Sequence, residues 1–225
     1  MSSFASVSAT RYRDGMRAAI PVAATVGFFG VSFGVVARAA GMGAVAPVVL
    51  SATTFAGSAQ FAISSILAAG GGAAAAIGAA VLLNARYAPI SISVAPVFRG
   101  PRLRRLAESQ LIVDESWALA SRGGGRFDRR MLLGAGLLLY ASWVVGTAVG
   151  VVAGDKLGDP KDLGLDGAFP ALFLALLAPQ LRAPRAAVAA IAGGAIALAL
   201  IPVTPAGVPI VAASGACLLG LRRRA

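Results

Sequence analysis

The sequence predicts an all-α polytopic membrane protein, and three observations lead to that fold class. Of the 225 residues, 58% are hydrophobic and only 13% are charged, whereas a soluble domain carries about 25% charged residues. The mean hydropathy is +0.81. The charges are concentrated in short connectors between long uncharged segments, which is typical of membrane helices joined by loops. We therefore expect residues 1–225 to form a single integral membrane domain.

Seven apolar segments are candidates for membrane helices. They are 18–37, 44–69, 73–98, 131–153, 168–181, 186–203 and 206–221. Segment 168–181 would measure only about 21 Å as a helix, so it would need flanking residues or form a partial span. The chain divides into a first half (18–98), a connector (99–130) and a second half (131–221).

The distribution of basic residues predicts the orientation of these segments. Connector 99–130 holds eight arginines against four acids, and the stretch 11–17 is also basic, so both are expected in the cytoplasm. Connector 154–167 is acidic and is expected outside. Segment 73–98 would then begin and end inside, which favours two short limbs that turn near residues 84–89. The alternative is a single helix with the N-terminus outside.

Two octets resemble each other. Residues 30–37 and 146–153 share five of eight positions, and each octet closes an apolar segment. Many transporters consist of two repeated halves with the solute site between them. Coincidence in helices rich in Gly, Ala and Val is the other explanation.

The first octet contains a pair of glycines four residues apart, Gly30 and Gly34. Such a pair allows two helices to approach closely in lipid. If the backbone opens there instead, Gly30, Ser32, Phe33 and Gly34 would contact a solute directly. Both interpretations stay open.

The most polar segment is 44–69, and Ser58 and Gln60 lie at its centre. A side-chain amide in lipid must find hydrogen-bond partners. We predict that Ser58 and Gln60 line the path of a solute. Hydrogen bonding between helices is the competing role for Gln60.

Segment 73–98 contains Asn84 and Arg86 and no other charge. A guanidinium at membrane depth is costly, and it can bind a carboxylate with two parallel hydrogen bonds. Arg86, with Asn84 beside it, is therefore a candidate for solute binding. Arg86 can equally form a structural ion pair, reach an interface, or lie at the outer turn of a hairpin.

Two adjacent acids in connector 99–130, Asp114 and Glu115, are flanked closely by apolar residues. Desolvation would raise the pKa of such a carboxyl group toward neutrality, as proton coupling requires. We predict that Asp114 and Glu115 take part in coupling or gating, and either acid can also pair with Arg86. The competing interpretation is an amphipathic interfacial helix whose acids face water.

The composition excludes several classes of function. The net charge of +11 does not indicate nucleic-acid binding, because the basic residues mostly border apolar segments. The chain has no histidine and a single cysteine, Cys217, so the commonest metal ligand and any thiolate cluster are missing. There is no catalytic triad, P-loop or nucleotide fingerprint. We expect no enzymatic activity, cofactor or metal.

Taken in order, the motifs resemble those of the AzlC family, the large subunit of bacterial branched-chain amino-acid exporters. The resemblance extends from about Arg13 to Leu181. Its pieces are Gly15-Met-Arg17 with Pro21, Phe29-Gly30 with Ser32-Phe33-Gly34, Phe55-Ala-Gly57-Ser58-Ala-Gln60-Phe61, Leu83-Asn84-Ala-Arg86-Tyr87, Asp114-Glu115-Ser-Trp117-Ala118, and Gly164-Leu-Asp166 with Phe169-Pro170-Ala171. The family's arginine is commonly followed by histidine. Tyr87 stands there in this chain, so a proton role for that histidine has no support.

The resemblance implies a secondary transporter subunit of the bacterial inner membrane that exports leucine, isoleucine and valine. It also implies a small hydrophobic partner subunit of the AzlD type and driving by the proton-motive force. Two other functions stay open. The chain could be a membrane scaffold that stabilises a partner without transport, or a passive channel for small neutral solutes.

Overall fold

The computed structural model describes residues 11–157, 174, 177–178, 180–182, 184–204 and 208–220. Within that part of the chain the ordered structure is helical, apart from an isolated β-bridge between Ser121 and Phe127. The α-helices are α1 (Tyr12–Ala39), α2 (Val45–Thr54), α3 (Gly57–Ala68), α4 (Ala73–Asn84), α5 (Tyr87–Val94), α6 (Arg102–Ser109), α7 (Asp114–Ala120), α8 (Arg129–Leu157), α9 (Pro184–Leu200), α10 (Val208–Ser214) and α11 (Cys217–Gly220). The predicted all-α class is confirmed.

Helices α1 and α8 form the centre of the fold and run parallel. Glycines allow their backbones to touch. A Cβ atom on Gly15 would lie 2.9 Å from the Ala135 nitrogen, and one on Gly30 would lie 2.7 Å from the Trp143 carbonyl oxygen. Because the residue numbers rise together along the contact, the two helices start at the same end. We call the end that holds the first turns of α1 and α8 the basic end, and the opposite end the far end.

Both central helices are long and apolar enough to cross a membrane, with mean hydropathies of 1.9 and 1.8 over their most apolar windows. Each also exposes large apolar side chains away from the other helix, among them Ile20, Phe28, Val145 and Val152. Such exposure is costly in water and favourable in lipid. The predicted segments 18–37 and 131–153 correspond to these helices.

The prediction of one span over 44–69 is wrong, because this segment folds back on itself. Phe55 adopts a left-handed conformation with φ of 43° and separates α2 from α3. The Tyr140 hydroxyl, halfway along α8, donates to a carbonyl in the last turn of α2. The Ser64 hydroxyl of α3 lies 3.4 Å from the sulfur of Met42, which follows α1 at the far end. Thus α2 descends to the middle of the bundle and α3 returns.

Segment 73–98 is a broken helix, and the hairpin that the charge pattern favours is wrong. Helices α4 and α5 bend by 41° where they meet. At the far end Ala76 packs with Ile66, and at the basic end Val94 packs with Leu132. The segment therefore passes along the whole length of the bundle.

Connector 99–130 makes a second fold-back, from the basic end. Glu108 of α6 pairs with Arg129 at the start of α8. The chain then rises until the Gln110 amide donates to the Thr53 carbonyl of α2 at 2.9 Å. Helix α7 returns to the basic end, where the Ala120 carbonyl accepts from the backbone N–H just before α8. The tips of the two fold-backs thus meet in the middle.

The second half is described only in part. Helix α9 has 17 residues, and the predicted segment 206–221 contains two shorter helices, α10 and α11. Most of segment 168–181 and most of connector 154–167 lie outside the described residues. Among the described residues, two helices are long enough for a span, or three if the bent α4–α5 pair counts as one. The seven predicted spans are therefore not confirmed.

Candidate solute site

A cavity of about 90 Å³ lies where the two breaks and the start of α7 come together. Trp143, in its wall, is roughly 21 Å along α8 from the first residue of that helix, near its midpoint. The lining residues come from five helices, from the α2–α3 and α4–α5 breaks and from the residue before α7. They are Val26, Phe29, Phe55, Gly57, Ser58, Arg86, Tyr87, Val113, Asp114, Glu115, Leu139 and Trp143.

The charged part of the lining is built around Arg86, at the break between α4 and α5. Its Nη2 lies 3.1 Å from Asp114 Oδ2, so the ion pair that the sequence allowed is present. The same nitrogen donates to the Tyr87 hydroxyl at 3.3 Å, and the guanidinium lies 5.1 Å from the centre of that ring. The side chains of Arg86 and Asp114 remain 34% and 37% exposed. A solute in the cavity can therefore reach both charges.

Asp114 and Glu115 form the first turn of α7, where the helix dipole favours negative charge. Burial raises the pKa of the Glu115 carboxyl, and the neighbouring Asp114 carboxylate adds to this rise, whereas a backbone hydrogen bond and, to a smaller extent, Arg86 oppose it. Glu115 therefore takes up a proton at a higher pH than an ordinary glutamate does.

The apolar part of the lining is supported from behind by aromatic contacts. Phe33 stacks on Trp143 with ring centroids 6.0 Å apart, and Phe61 meets the same indole edge-on at 6.3 Å. Phe55 packs edge-on against Tyr140 at 5.2 Å. Phe33 is fully buried and does not line the cavity, so its contact to a solute would be indirect.

Gln60 is fully buried in a closed ring of hydrogen bonds that ties the α2–α3 fold-back to α8. Its amide nitrogen donates to Ser51 Oγ at 2.8 Å, and its oxygen accepts from the Trp143 indole at 3.0 Å and from the Ala56 N–H at 3.1 Å. Thr147 donates its hydroxyl proton to the Trp143 carbonyl, so Ser51 is the donor in the 2.9 Å bond between the two hydroxyls. This geometry favours the helix-to-helix role for Gln60.

The remaining predicted residues fall into two groups. Gly30 and Gly34 lie in the contact between α1 and α8, facing the octet that they resemble. Ser32 and Asn84 each carry a buried oxygen without a hydrogen-bond partner among the described residues, and neither lines the cavity. Ser58 lines it, together with Arg86, Asp114 and Glu115. The structure thus brings four of the ten predicted residues together around one cavity.

Several residues of the candidate site lie beyond what sequence reasoning found. Phe55 and Gly57 stand inside a motif already singled out, but nothing in the sequence indicates that the helix breaks between them. Ser51 and Thr147, which complete the ring around Gln60, were recognisable only as polar residues in apolar segments. Trp143 is one of two tryptophans, and no other feature of the sequence indicates a role for it.

Among the residues that the structure describes, no three or more His, Cys, Asp or Glu side chains lie close enough to hold a metal ion. The polar part of the cavity consists of charged groups of both signs, Arg86 on one side and Asp114 and Glu115 on the other. The apolar wall provides room for an aliphatic side chain.

Comparison with known proteins gives a consistent result. A family model described as AzlC protein matches residues 21–157. A membrane protein of Archaeoglobus fulgidus, named only as uncharacterized, is 33% identical over 215 residues, which is 93% of this chain and 94% of the relative. The branched-chain amino acid transport protein AzlC of Bacillus subtilis is 26% identical over 75% of this chain and 67% of its own length. The inner membrane protein YgaZ of Escherichia coli is 28% identical over 83% and 80%. No solved structure matches significantly.

Proposed function

The chain belongs to the AzlC family, and we propose that it is a secondary transporter subunit that exports branched-chain amino acids. One observation carries this proposal: a cavity at the middle of the bundle has charged groups of both signs and an apolar wall. A branched-chain amino acid has the matching chemistry, because its backbone carries both charges and its side chain is aliphatic. The printed name of the Bacillus subtilis relative supports this solute class.

The finer features of the proposal come from the family resemblance. They are export as the direction, the proton-motive force as the energy source, a small AzlD-type partner subunit, and location in the bacterial inner membrane with several spans. Glu115 is the group best suited to carry the coupled proton, because it lines the cavity and burial raises its pKa. Its neighbour Asp114 is engaged by Arg86.

Counterflow of labelled leucine into liposomes, with and without the small subunit, tests the proposal. We expect saturable exchange that responds to an imposed proton gradient. A scaffold would give no exchange by this chain under either condition, although it would raise the amount of the partner in the membrane. A passive channel would give flux that does not saturate and that persists when the proton gradient is collapsed.

Arg86→Ala tests the cavity as the transport site. We expect leucine exchange to be abolished, while the protein still inserts into the membrane in normal amounts. Arg104→Ala is the matched control, because Arg104 forms an exposed ion pair with Glu108 at the basic end, 2.8 Å long, and does not line the cavity. Exchange by Arg86→Ala at the rate of the unaltered protein would show that the site lies elsewhere.

A further inference from the structure

The N-terminus of α3 is an unusual feature for the interior of a membrane protein. The break at Phe55 leaves the first backbone N–H groups of this 12-residue helix without carbonyl partners one turn back. No side chain caps the helix, and only the N–H of Ala56 is taken, by the Gln60 oxygen at 3.1 Å. Gly57 and Ser58, the first two residues of the helix, both line the cavity. The positive end of the helix dipole therefore faces an open space.

Ser58 gives a second, independent indication of a ligand at this point. The residue is only 3% exposed, and its hydroxyl has no hydrogen-bond partner among the described residues. By contrast, Ser51 and Ser64, which are equally buried in the same fold-back, both have partners. A buried hydroxyl without a partner is costly unless something else accepts its proton. Because Ser58 lines the cavity, a bound solute is in the right place to do so.

The cationic group of the cavity is already partly engaged. The Arg86 Nη2 atom holds Asp114 and the Tyr87 hydroxyl, while its buried Nε has no hydrogen-bond partner among the described residues. The two acids of the cavity stand at the start of their own helix, α7, whose dipole they complement. The start of α3 has no acidic side chain in its first turn. It is therefore the uncompensated positive pole of this cavity.

We propose that the N-terminus of α3 binds the α-carboxylate of the transported amino acid, through the backbone N–H groups of Gly57 and Ser58 and the Ser58 hydroxyl. The assignment rests on the proposed function, because it presumes an amino-acid solute. Anions bind at helix N-termini through free N–H groups and the dipole, and discontinuous transporter helices use this device at the midplane. Asp114 and Glu115, in the same cavity, complement the α-ammonium group. The carboxylate of the solute is then stabilised by the helix dipole, and its ammonium group by the two acids.

Ser58→Ala tests this assignment, with Ser32→Ala as the matched control. Ser32 is also buried with an unpartnered hydroxyl, but it lies on α1 and outside the cavity. Because neither hydroxyl has a hydrogen-bond partner among the described residues, neither substitution should lower the melting temperature. Binding to the purified full-length protein is measured by calorimetry for leucine and for leucinamide, which lacks the negative charge.

In the unaltered protein we expect leucine to bind at least about tenfold more tightly than leucinamide. Ser58→Ala should weaken leucine binding roughly tenfold, which is the effect of losing a hydrogen bond to a charged group, and should change leucinamide binding little. Ser32→Ala should retain the full preference for leucine.

Two results would overturn the assignment. Equal affinity of the unaltered protein for leucine and leucinamide would remove the need for a carboxylate site. Leucine binding by Ser58→Ala with unchanged affinity would exclude the hydroxyl from that site. If either result occurs while leucine exchange is normal, the assignment fails alone and the proposed function stands. If the unaltered protein neither binds nor exchanges leucine, the proposed function fails and the assignment with it.

Discussion

Replacing Gln60 with leucine distinguishes a residue that holds the fold from one that contacts the solute. Leucine keeps most of the volume and removes the amide. Three direct hydrogen bonds are lost, to Ser51 Oγ, the Trp143 indole and the Ala56 N–H. Hydrogen bonds inside membrane proteins contribute about 0.6 kcal/mol on average and up to about 1.7 kcal/mol. We therefore expect Gln60→Leu to lower the free energy of unfolding by about 2 to 5 kcal/mol.

Two buried donors that lose their acceptor favour the upper part of this range of destabilisation. The indole N–H of Trp143 and the N–H of Ala56 would stay buried without acceptors, and such groups cost more than an average hydrogen bond contributes. The assay is unfolding of the purified protein in mixed micelles with increasing denaturing detergent. Ser64→Ala is the control on the same helix. Its buried hydroxyl donates to the Gln60 carbonyl of its own helix at 3.2 Å, so the loss should stay below about 1 kcal/mol.

One result would refute a structural role for Gln60. If Gln60→Leu unfolds at the same detergent concentration as the unaltered protein but loses affinity for leucine, the hydrogen-bonded ring does not hold the fold-back. The side chain would then contact the solute, as the sequence first suggested.

Two further predictions concern the central helix pair and the buried acid. Gly34→Ala should destabilise the protein by about 1 to 3 kcal/mol, because its methyl group would overlap the Thr147 carbonyl. Gly27→Ala is the control: the atom nearest to its methyl group would be 3.7 Å away, so it should be neutral or slightly stabilising. Equal melting temperatures for the two variants would contradict the close contact. Glu115→Gln should have a higher melting temperature than the unaltered protein at alkaline pH, and the two melting temperatures should converge as the pH falls. Burial raises the pKa of Glu115, so only the ionised carboxylate destabilises the folded protein. A difference in melting temperature that does not change with pH would contradict this prediction.

The sequence predicts the elements whose signal is local and misses those that depend on a tertiary partner. Long uninterrupted apolar runs predicted α1 and α8, and the glycine spacing indicated close helix packing as one of two interpretations. The break at Phe55 could not be found in this way. A left-handed conformation costs a residue other than glycine about 1–2 kcal/mol, so the local sequence does not predict it there. Its compensation is remote: the ring packs on Tyr140, and the next N–H is taken by Gln60.

The charge pattern was nevertheless informative about the number of turns. Two basic stretches, 11–17 and 99–130, require that the chain return to the side from which it started. The parallel arrangement of α1 and α8 brings both stretches to the basic end, which meets this requirement. Three apolar segments lie between the two stretches, so one of these segments must turn back. The prediction assigned the turn to 73–98 because it took 18–37 and 44–69 as complete spans, whereas the structure has it at Phe55.

Moving the turn from Arg86 to Phe55 changes the role of the arginine. Arg86 lies in a segment that runs the length of the bundle, so it cannot reach water at the outer mouth of a hairpin. Its charge has to be compensated in the interior. The fold-back from the basic end supplies Asp114 for this purpose, at 3.1 Å. The fold-back from the far end supplies the free N-terminus of α3 to the same cavity. In the proposed site, each fold-back therefore contributes one pole for a zwitterion, and a continuous helix in either place would remove that pole.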